Sequence, residues 1–196
     1  MRRLVLLRHG RTEGTERHLY YGATDLPLLP VGIAELKTLR ARGIYPDPAG
    51  FCFVTSGMLR ANQTLQTIYG DVPYLTAPRL REVDFGIFEM KSYDALKDDP
   101  AYQTWLSGDN EANIPPLGES GNQMRLRVLE ALEEIREDTV LVTHGGVIAA
   151  IMEALFPEEG KNRYQWQSAP GHGYKIRLES AFSPEMLHFS RSYAIL

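Results

Sequence analysis

Two histidines follow apolar segments at widely separated places in the chain, and each is followed by glycine. His9 lies in Arg8-His9-Gly10, after the apolar run 4–7, and His144 lies in Thr143-His144-Gly145, after the run 140–142. A strand that ends on a polar residue and continues into glycine brings that side chain to the carboxyl edge of a sheet, where open α/β folds bind ligands. A third junction of this kind, at 55–57, precedes Arg60. We therefore expect these side chains to meet at one site.

The residue types at these junctions favour phosphoryl transfer. That reaction needs cations and N–H donors around the phosphoryl oxygens, a nucleophile in line with the leaving group, and an acid for the departing oxygen. Each motif is weak alone, because a histidine or arginine at a strand end is often a surface or capping group and a Gly-Gly pair can simply relieve crowding. Their combination favours a common site with His9 as the nucleophile.

A metal site is the main chemical alternative for paired histidines. Zinc usually takes three or four protein ligands, including one closely spaced pair such as His-x-x-x-His. The chain has no such pair, since His18, His172 and His188 are scattered, and no Asp-x-Asp cluster follows a predicted strand. We therefore expect chemistry without a metal or another cofactor.

The hydrophobic periodicity predicts the elements that position these residues. Apolar runs predict strands at 3–8, 51–55 and 139–143. Helical patterns occupy 30–42, 58–69, the residues behind a Ser120-Gln123 capping box, and 147–156. Residues 173–178 alternate like an edge or hairpin strand. This order predicts one α/β domain over 1–196, a three-layer α/β/α sandwich with a mostly parallel central sheet.

Residues 91–118 differ from this pattern and predict a small helical excursion near the active site. The segment combines Asp98-Asp99-Pro100 with aromatic residues and ends near a pair of prolines. Tyr20, Tyr21, this excursion and His172 are candidates for a substrate pocket. For each, packing in the fold or a place in a turn is at least as good an explanation.

Composition limits the class of protein and its partners. The 196 residues, 43% hydrophobic and 23% charged, are typical of a compact soluble domain. The formal net charge of -4 argues against nucleic acid or an anionic membrane as an obligate partner, although local arginines can bind small anions. Cys52, the single cysteine, is predicted to be a buried thiol. The first apolar run is too short for a signal peptide, so a cytoplasmic location is expected.

Several motifs follow one another in a defined order. They are Arg8-His9-Gly10-Arg11-Thr12, the Gly22 to Leu28 stretch with Asp25 and Pro27, Ser56 to Ala61 with Arg60, the Leu80 to Glu89 stretch with Glu82, Gly118-Glu119-Ser120, and Val142-Thr143-His144-Gly145-Gly146. In type and order these motifs resemble the histidine phosphatase superfamily, in its phosphoglycerate-mutase-like branch. The resemblance covers most of the chain.

The resemblance implies a ping-pong mechanism in which His9 attacks phosphorus and becomes a phosphohistidine. Arg8, Arg60 and a cationic His144 would bind the phosphoryl oxygens, and Glu82 would act first as general acid and then as general base. Further residues expected to bind substrate are Thr12, Thr15, Tyr21, Gly22, Gly145 and His172. Asp84 and Glu89 are lesser acid candidates, for which a structural role is favoured.

Neighbouring charges affect the protonation of His9, the expected nucleophile, and of Glu82, the expected acid. Arg8 and Arg60 disfavour an imidazolium at His9 and so favour a neutral nucleophile. At Glu82, a phosphate dianion favours the protonated acid while the arginines favour the carboxylate.

Two positions depart from the family pattern. Arg11 replaces a common acidic residue, and Thr15 replaces an asparagine that holds phosphate in many members. Threonine donates a hydrogen bond over a shorter reach. Arg11 is expected either to add positive potential at the mouth of the site or to lie solvated outside it.

The predicted function is that of a metal-independent phosphomonoesterase acting on a small phosphorylated metabolite. The stretch between Glu82 and His144 is shorter than in cofactor-dependent mutases, which favours a phosphatase. Segments 19–22, 85–90 and 105–118 resemble α-ribazole phosphatases, and sugar-phosphate phosphatases have similar aromatic segments. The alternatives are a phosphoglycerate-type mutase and a non-catalytic phospho-ligand binding protein, which would not need both a nucleophile and an acid.

Overall fold

The computed structural model describes residues 2–178 and 191–196, and within these residues a six-stranded sheet forms the centre of the fold. Its strands are β1 (Arg2–Arg8), β3 (Cys52–Thr55), β4 (Leu75–Thr76), β6 (Thr139–Thr143), β7 (Gly173–Leu178) and β8 (Arg191–Ile195). The strand order is β4-β3-β6-β1-β7-β8. A separate two-stranded sheet joins β2 (Leu19–Tyr20) to β5 (Lys91–Ser92).

The central sheet is mostly parallel, as predicted. β1 pairs in parallel with β6, β6 with β3, and β3 with β4, so the polar ends of these strands meet at one edge. β7 is antiparallel both to β1 and to β8. The prediction of an edge strand at 173–178 is therefore wrong, because β8 pairs along its outer side, while the antiparallel pairing with β8 agrees with the hairpin alternative.

Helices cover both faces of the sheet. Side chains of Leu4 and Leu6 pack with α6 (Gly121–Glu134) and α7 (Gly145–Leu155), whereas Val5 and Leu7 pack with α2 (Pro30–Ala41) and α3 (Leu59–Tyr69). This alternation along β1 makes every one of these four residues part of a core, which explains an uninterrupted apolar run in a central strand. Short helices complete the structure: α1 (Glu13–Glu16), α4 (Tyr93–Leu96), α5 (Pro100–Leu106) and α8 (Arg163–Trp166).

Local signals in the sequence fix the helix ends. Pro30 stands in the first turn of α2, and Ser120 caps α6 through a hydrogen bond from Gln123 N while the Gln123 side chain accepts from Ser120 N. Both features follow from the unsatisfied N–H groups at a helix start. The predicted boundaries agree with the observed ones to within about two residues.

Cys52 contradicts the prediction of a buried thiol. It is the first residue of β3 and is exposed, whereas the next three residues of the strand are buried. Alternation places its side chain on the same face as Val54, which is buried, but Cys52 stands at the start of the strand, where Sγ lies 2.7 Å from Glu137 Oε2. The apolar run alone did not reveal that the cover of this face would not reach the first residue of the strand.

The 91–118 segment is helical, through α4 and α5, and packs by means of its aromatic residues. Phe88, Leu96 and Tyr102 form a small buried cluster against which Tyr20 and Trp105 pack. The hydroxyl groups of Tyr20 and Tyr102 are 2.6 Å apart. In the described residues, we find no helix of the length and apolarity needed to span a bilayer.

Candidate active site

The junction between β6 and α7 brings several predicted site residues together. His144 contacts Arg60, a Cβ placed on Gly145 would lie 3.2 Å from Arg8 Cζ, and Gly146 N donates to Glu82 Oε2 at 2.9 Å. A Cβ on Gly146 would overlap the Glu82 carboxylate. Glycine at these two positions therefore allows an arginine and a carboxylate to approach the helix N-terminus from different sides.

His9 follows β1 and is buried, with 2% of its surface exposed. Its Nδ1 is 2.7 Å from the carbonyl oxygen of Gly10, and because a carbonyl only accepts, Nδ1 carries the proton and Nε2 has a free lone pair. Burial, then the charges of Arg60 and Arg8, hold the pKa of His9 well below its ordinary value, although the Gly10 hydrogen bond opposes them. His9 is thus a neutral imidazole, as expected for a nucleophile.

His144 lies beside His9, with ring centroids 5.3 Å apart, and is fully buried. Arg60 Nε donates to its Nδ1 at 3.3 Å, which leaves the proton on Nε2, 2.8 Å from Ser56 Oγ. Burial, then the charges of Arg60, His9 and Arg8, hold the pKa of His144 well below its ordinary value. The expected cation at His144 is therefore not the form that these surroundings favour.

Arg60 is the buried second residue of α3, and its side chain is held on three sides. Its Nη1 donates to Thr24 O at 2.8 Å, Nη2 donates to Gly22 O at 2.9 Å, and its guanidinium stacks 5.0 Å from the centre of the Tyr21 ring. Burial lowers the pKa of Arg60, yet arginine remains charged in proteins. The positive charge is therefore fixed in orientation between the loop and His144.

Arg8 ends β1 and supplies a second positive charge. Its Nη1 donates to Ser168 O at 2.7 Å. Its Nε is buried and has no hydrogen-bond acceptor in residues 2–178 and 191–196. A buried N–H of a charged group without a partner is costly, so this atom is suited to a phosphoryl oxygen.

Glu82 is anchored at both carboxyl oxygens. Oε1 accepts from Val83 N at 3.0 Å and Oε2 from Gly146 N at 2.9 Å. Arg127 holds the surrounding backbone, donating to Glu82 O at 3.1 Å while its Nε donates to Glu119 at 3.0 Å. The carboxyl group of the expected acid is thus held by an N–H group at the start of α7 and by the N–H group of the next residue in the chain.

Glu89 organises the loop that holds Arg60. Its Oε1 accepts from Gly22 N at 2.8 Å and from Ala23 N at 3.0 Å, while its Oε2 accepts from the Thr24 backbone at 3.1 Å and the Thr24 hydroxyl at 2.6 Å. The carbonyls of Gly22 and Thr24 are the acceptors for Arg60. The structural role favoured for Glu89 therefore has a definite form, because this carboxylate fixes the loop whose carbonyls orient Arg60.

The segment after His9 is closed by hydrogen bonds between its own residues. Thr15 Oγ1 donates to Thr12 O at 2.7 Å and accepts from Thr12 N at 2.8 Å, so its hydroxyl serves the backbone of α1. Thr12 Oγ1 donates to the Tyr21 hydroxyl at 2.9 Å, and the Tyr21 ring lies 6.2 Å from that of His9. Arg11 pairs with Glu16 at 2.6 Å and Glu35 at 3.0 Å at the surface, which agrees with the solvated alternative.

Within residues 2–178 and 191–196, no side-chain hydrogen bond, ion pair or ring contact joins His172, Tyr20 or Trp105 to His9, His144, Arg8 or Arg60. His172 O accepts from Arg8 N at 2.9 Å, but its ring Nδ1 faces Pro170 O at 3.0 Å, within its own turn. Tyr20 and Trp105 lie ring edge to ring face, 5.9 Å apart, in the aromatic cluster. In the parts of the chain that the structure describes, no group of three His, Cys, Asp or Glu side chains could hold a metal ion.

Residues 4–181 match the family model described as "Histidine phosphatase superfamily (branch 1)". The chain belongs to this superfamily. It is 31% identical over 192 residues to an adenosylcobalamin/alpha-ribazole phosphatase of Salmonella typhimurium, covering 92% of this chain and 93% of that protein. It is also 31% identical over 199 residues to a 2,3-bisphosphoglycerate-dependent phosphoglycerate mutase of Xanthobacter autotrophicus, covering 90% and 93%.

A solved structure supports the same relationship. A crystal structure of phosphoglycerate mutase from Thermus thermophilus superposes with a TM-score of 0.70 and 34% sequence identity, covering 88% of this chain and 91% of that one. The predicted family and the enzyme class of a histidine phosphatase are confirmed.

Two residues of this histidine phosphatase, Ser56 and Arg127, have contacts at the site that were not predicted from the sequence. Ser56 stands in the motif that contains Arg60, so its position was visible although its contact with His144 was not. Arg127 lies on α6, and its hydrogen bonds to the main chain of Glu82 depend on the tertiary fold.

Proposed function

We propose that the protein is a metal-independent phosphomonoesterase that hydrolyses a small phosphorylated metabolite through a phosphohistidine at His9. The observation that supports this most strongly is the β6–α7 junction, where residues 144–146 contact Arg60, Arg8 and Glu82 in turn. Arg8, His9, Arg60 and His144, which we call the phosphoryl corner, hold the phosphoryl group. Relatives named as phosphatases agree with this assignment.

In the first half-reaction, His9 Nε2 attacks phosphorus and the bond from phosphorus to the alcohol oxygen breaks. Protonated Glu82 donates its proton to that oxygen, and the alcohol leaves. Positive charge develops on the His9 ring, and Gly10 O disperses it by accepting from Nδ1. The N–H groups of Arg8 and Arg60 stabilise the equatorial phosphoryl oxygens as the transition state forms.

In the second half-reaction, a water molecule replaces the alcohol. The Glu82 carboxylate accepts a proton from this water, whose oxygen attacks phosphorus, and the bond between phosphorus and Nε2 breaks. Orthophosphate leaves and His9 returns to its neutral form. A bound phosphoryl dianion opposes the effect of the arginines on His144 and so raises the pKa of that ring.

A trapping experiment tests this mechanism. The protein is incubated with chelator and labelled phosphomonoesters, and acid-labile phosphoenzyme and released phosphate are measured. His9→Asn is expected to abolish both, whereas His18→Asn, a matched change at an exposed residue with a positive φ of 51°, retains both. Turnover that survives His9→Asn would overturn the proposal.

The second candidate function is a phosphoglycerate-type mutase, which is favoured by the relatives with that name. Mutase and phosphatase share a phosphohistidine and differ in whether water or a second alcohol accepts the phosphoryl group. Product analysis separates them. We expect free phosphate without an isomerised phosphomonoester, and an isomerised product formed faster than phosphate would favour the mutase.

A further inference from the structure

The expected acid, Glu82, is carried by a stretch of chain without regular secondary structure. Residues 81–85 lie between two short 3-10 helices, Pro78–Leu80 and Gly86–Phe88, and belong to neither a helix nor a strand. Main-chain N–H and C=O groups in such a stretch need partners from elsewhere in the fold. One of the two anchors of the carboxyl group, Val83 N, belongs to the same stretch. The position of the acid therefore depends on what holds this main chain.

Arg127 supplies several of these partners. Its Nη1 donates to Arg79 O at 2.6 Å and to Arg81 O at 2.8 Å, and its Nη2 donates to Glu82 O at 3.1 Å. Its Nε donates to Glu119 Oε2 at 3.0 Å, and Nη2 also donates to Glu119 Oε1. The five N–H groups of a guanidinium thus have five acceptors, and three of these are carbonyl oxygens next to or at the acid.

Glu119 and Thr143 complete the support of this stretch. Glu119 N donates to Asp84 O at 3.0 Å, and Asp84 N donates to Glu119 Oε1 at 3.3 Å. Thr143, the last residue of β6, donates from Oγ1 to Leu80 O at 2.7 Å. The main chain on both sides of Glu82 is therefore tied to the start of α6 and to the central sheet.

This support stands on the same packed core as the site. Arg127 lies on α6, and Val128 beside it packs in one core with Ile148 of α7. The first turn of α7 holds the Glu82 carboxyl group through Gly146 N. The main chain and the carboxyl group of the acid are thus held by two helices that share a core, and close packing keeps such helices in a fixed relation.

The charges of the supporting pair suit an acid. A cation beside a carboxyl group favours the carboxylate form, which has no proton to donate. Glu119 balances the formal charge of Arg127, and each of the two side chains is only 22% exposed. The pair therefore orients Glu82 through hydrogen bonds while the formal charge that it adds beside the acid is zero.

We propose that Arg127, paired with Glu119, is a positioning residue for the general acid Glu82. In the proposed function, on which this inference rests, Glu82 protonates the departing oxygen. A misplaced acid slows an ester more when its leaving group depends more on that proton. A residue that merely supported the fold would lower the rates of all esters alike.

Two esters of similar shape measure this dependence. The phenolate released from p-nitrophenyl phosphate needs little protonation, whereas phenyl phosphate releases a more basic phenolate that needs more. The quantity measured is kcat/KM for p-nitrophenyl phosphate divided by kcat/KM for phenyl phosphate. Because the same protein molecules hydrolyse both esters, a loss of folded protein cancels in this ratio.

The ratio is compared among the unaltered protein and four variants. We expect Glu82→Gln, which removes the acid, to raise the ratio up to about 10²-fold, and Arg127→Gln, which displaces it, to raise the ratio about tenfold. Arg127→Lys keeps the charge without the planar fork and should lie between Arg127→Gln and the unaltered protein. Arg125→Gln, on the same helix with 44% of its side chain exposed, is the matched control and should change the ratio less than about twofold. If Arg127→Gln does not fold, Glu119→Gln repeats the measurement with a smaller rise expected.

The outcomes separate this inference from the proposed function. A raised ratio in Glu82→Gln beside an unchanged ratio in Arg127→Gln would overturn the inference alone. Full restoration by Arg127→Lys would also overturn it, because charge and not position would then be decisive. An unchanged ratio in Glu82→Gln, or a failure of both esters to form phosphoenzyme, would overturn the proposed function as well.

Discussion

The phosphoryl corner is buried and built from fixed hydrogen bonds, whereas the ion pairs Arg163–Glu111 and Arg125–Glu153 remain partly exposed. His9 and Arg60 expose 2% and 0% of their surfaces, while the side chains of Arg125 and Glu111 expose 44% and 36%. The phosphoryl group is common to all phosphomonoesters, so a rigid, desolvated site for it can be preorganised. The partly exposed ion pairs are screened by solvent, so changing them costs little in stability.

The largest expected effect comes from changing the charge of the phosphoryl corner. Arg8→Gln removes a cation with a buried, unpartnered N–H, and we expect kcat to fall about 10²–10³-fold, as when one preorganised donor is lost. Steady-state hydrolysis of an accepted phosphomonoester measures it. Arg11→Gln, whose partners Glu16 and Glu35 lie at the surface, is the matched control and should change kcat less than about twofold. Equal losses in the two variants would remove the distinction between the corner and its surroundings.

A second effect tests whether the corner depends on its supporting loop. Glu89→Ala leaves the N–H groups of Gly22, Ala23 and Thr24 without their acceptor, and we expect Arg60 to shift and kcat to fall up to about 10²-fold. Glu89→Gln, which keeps one acceptor oxygen, should restore part of the rate.

Changing Glu89 and Arg60 together distinguishes a residue that positions Arg60 from one that only supports the fold, because the losses in kcat then do not add. If Glu89 acts through Arg60, Arg60→Lys should cost much less in the Glu89→Ala background than in the unaltered protein. Asp94→Ala, at a carboxylate with 85% of its side chain exposed, is the control and should leave kcat unchanged. Fully additive losses would show that Glu89 supports the fold without positioning Arg60.

Burial of the histidines also predicts a dependence of stability on pH. The folded-state pKa values of His9 and His144 lie well below 6.5, so above pH 6.5 they are neutral in both states and add no pH dependence. As the pH falls below 6.5 the unfolded chain takes up protons that the folded chain does not, and stability falls by about 1.4 kcal/mol per pH unit for each histidine. Urea unfolding at pH 7.5 and 5.5 measures this loss. It should be smaller in His9→Asn than in His18→Asn, and identical losses would contradict the burial argument.

The sequence predicted the residues of the phosphoryl corner better than it predicted the residues that hold them in place, and the reason is physical. His9, Arg60 and His144 follow strand ends of a parallel sheet, so alternation and glycine placement suffice to bring them to one edge. The hydrogen bonds of Glu89 join residues 22–24 to residue 89, and no local pattern reports such a contact.

Local contacts occupy several side chains whose role the sequence left open. Thr15 is a candidate for binding substrate, and its hydroxyl caps the backbone of Thr12, a nearby partner that threonine reaches readily. For Tyr20 and Trp105 the sequence left open a substrate pocket or packing in the fold, and their place against Tyr102 agrees with packing, because aromatic side chains on short helices need a core of their own. The four charges of the Arg163–Glu111 and Arg125–Glu153 pairs come from separate helices and from the excursion, and sequence spacing gave no sign that they meet.

The smallest expected effect compares two adjacent tyrosines. Tyr20→Phe removes a hydrogen bond to the buried Tyr102 hydroxyl, so the free energy of unfolding should fall by about 1 kcal/mol while kcat/KM stays unchanged. Tyr21→Phe removes the acceptor of Thr12 beside His9, and kcat/KM should fall about fivefold, the kinetic equivalent of about 1 kcal/mol. Urea unfolding and steady-state kinetics on both variants measure the two quantities. If Tyr20→Phe instead altered kcat/KM for one phosphomonoester and not another, the aromatic cluster would belong to the substrate site.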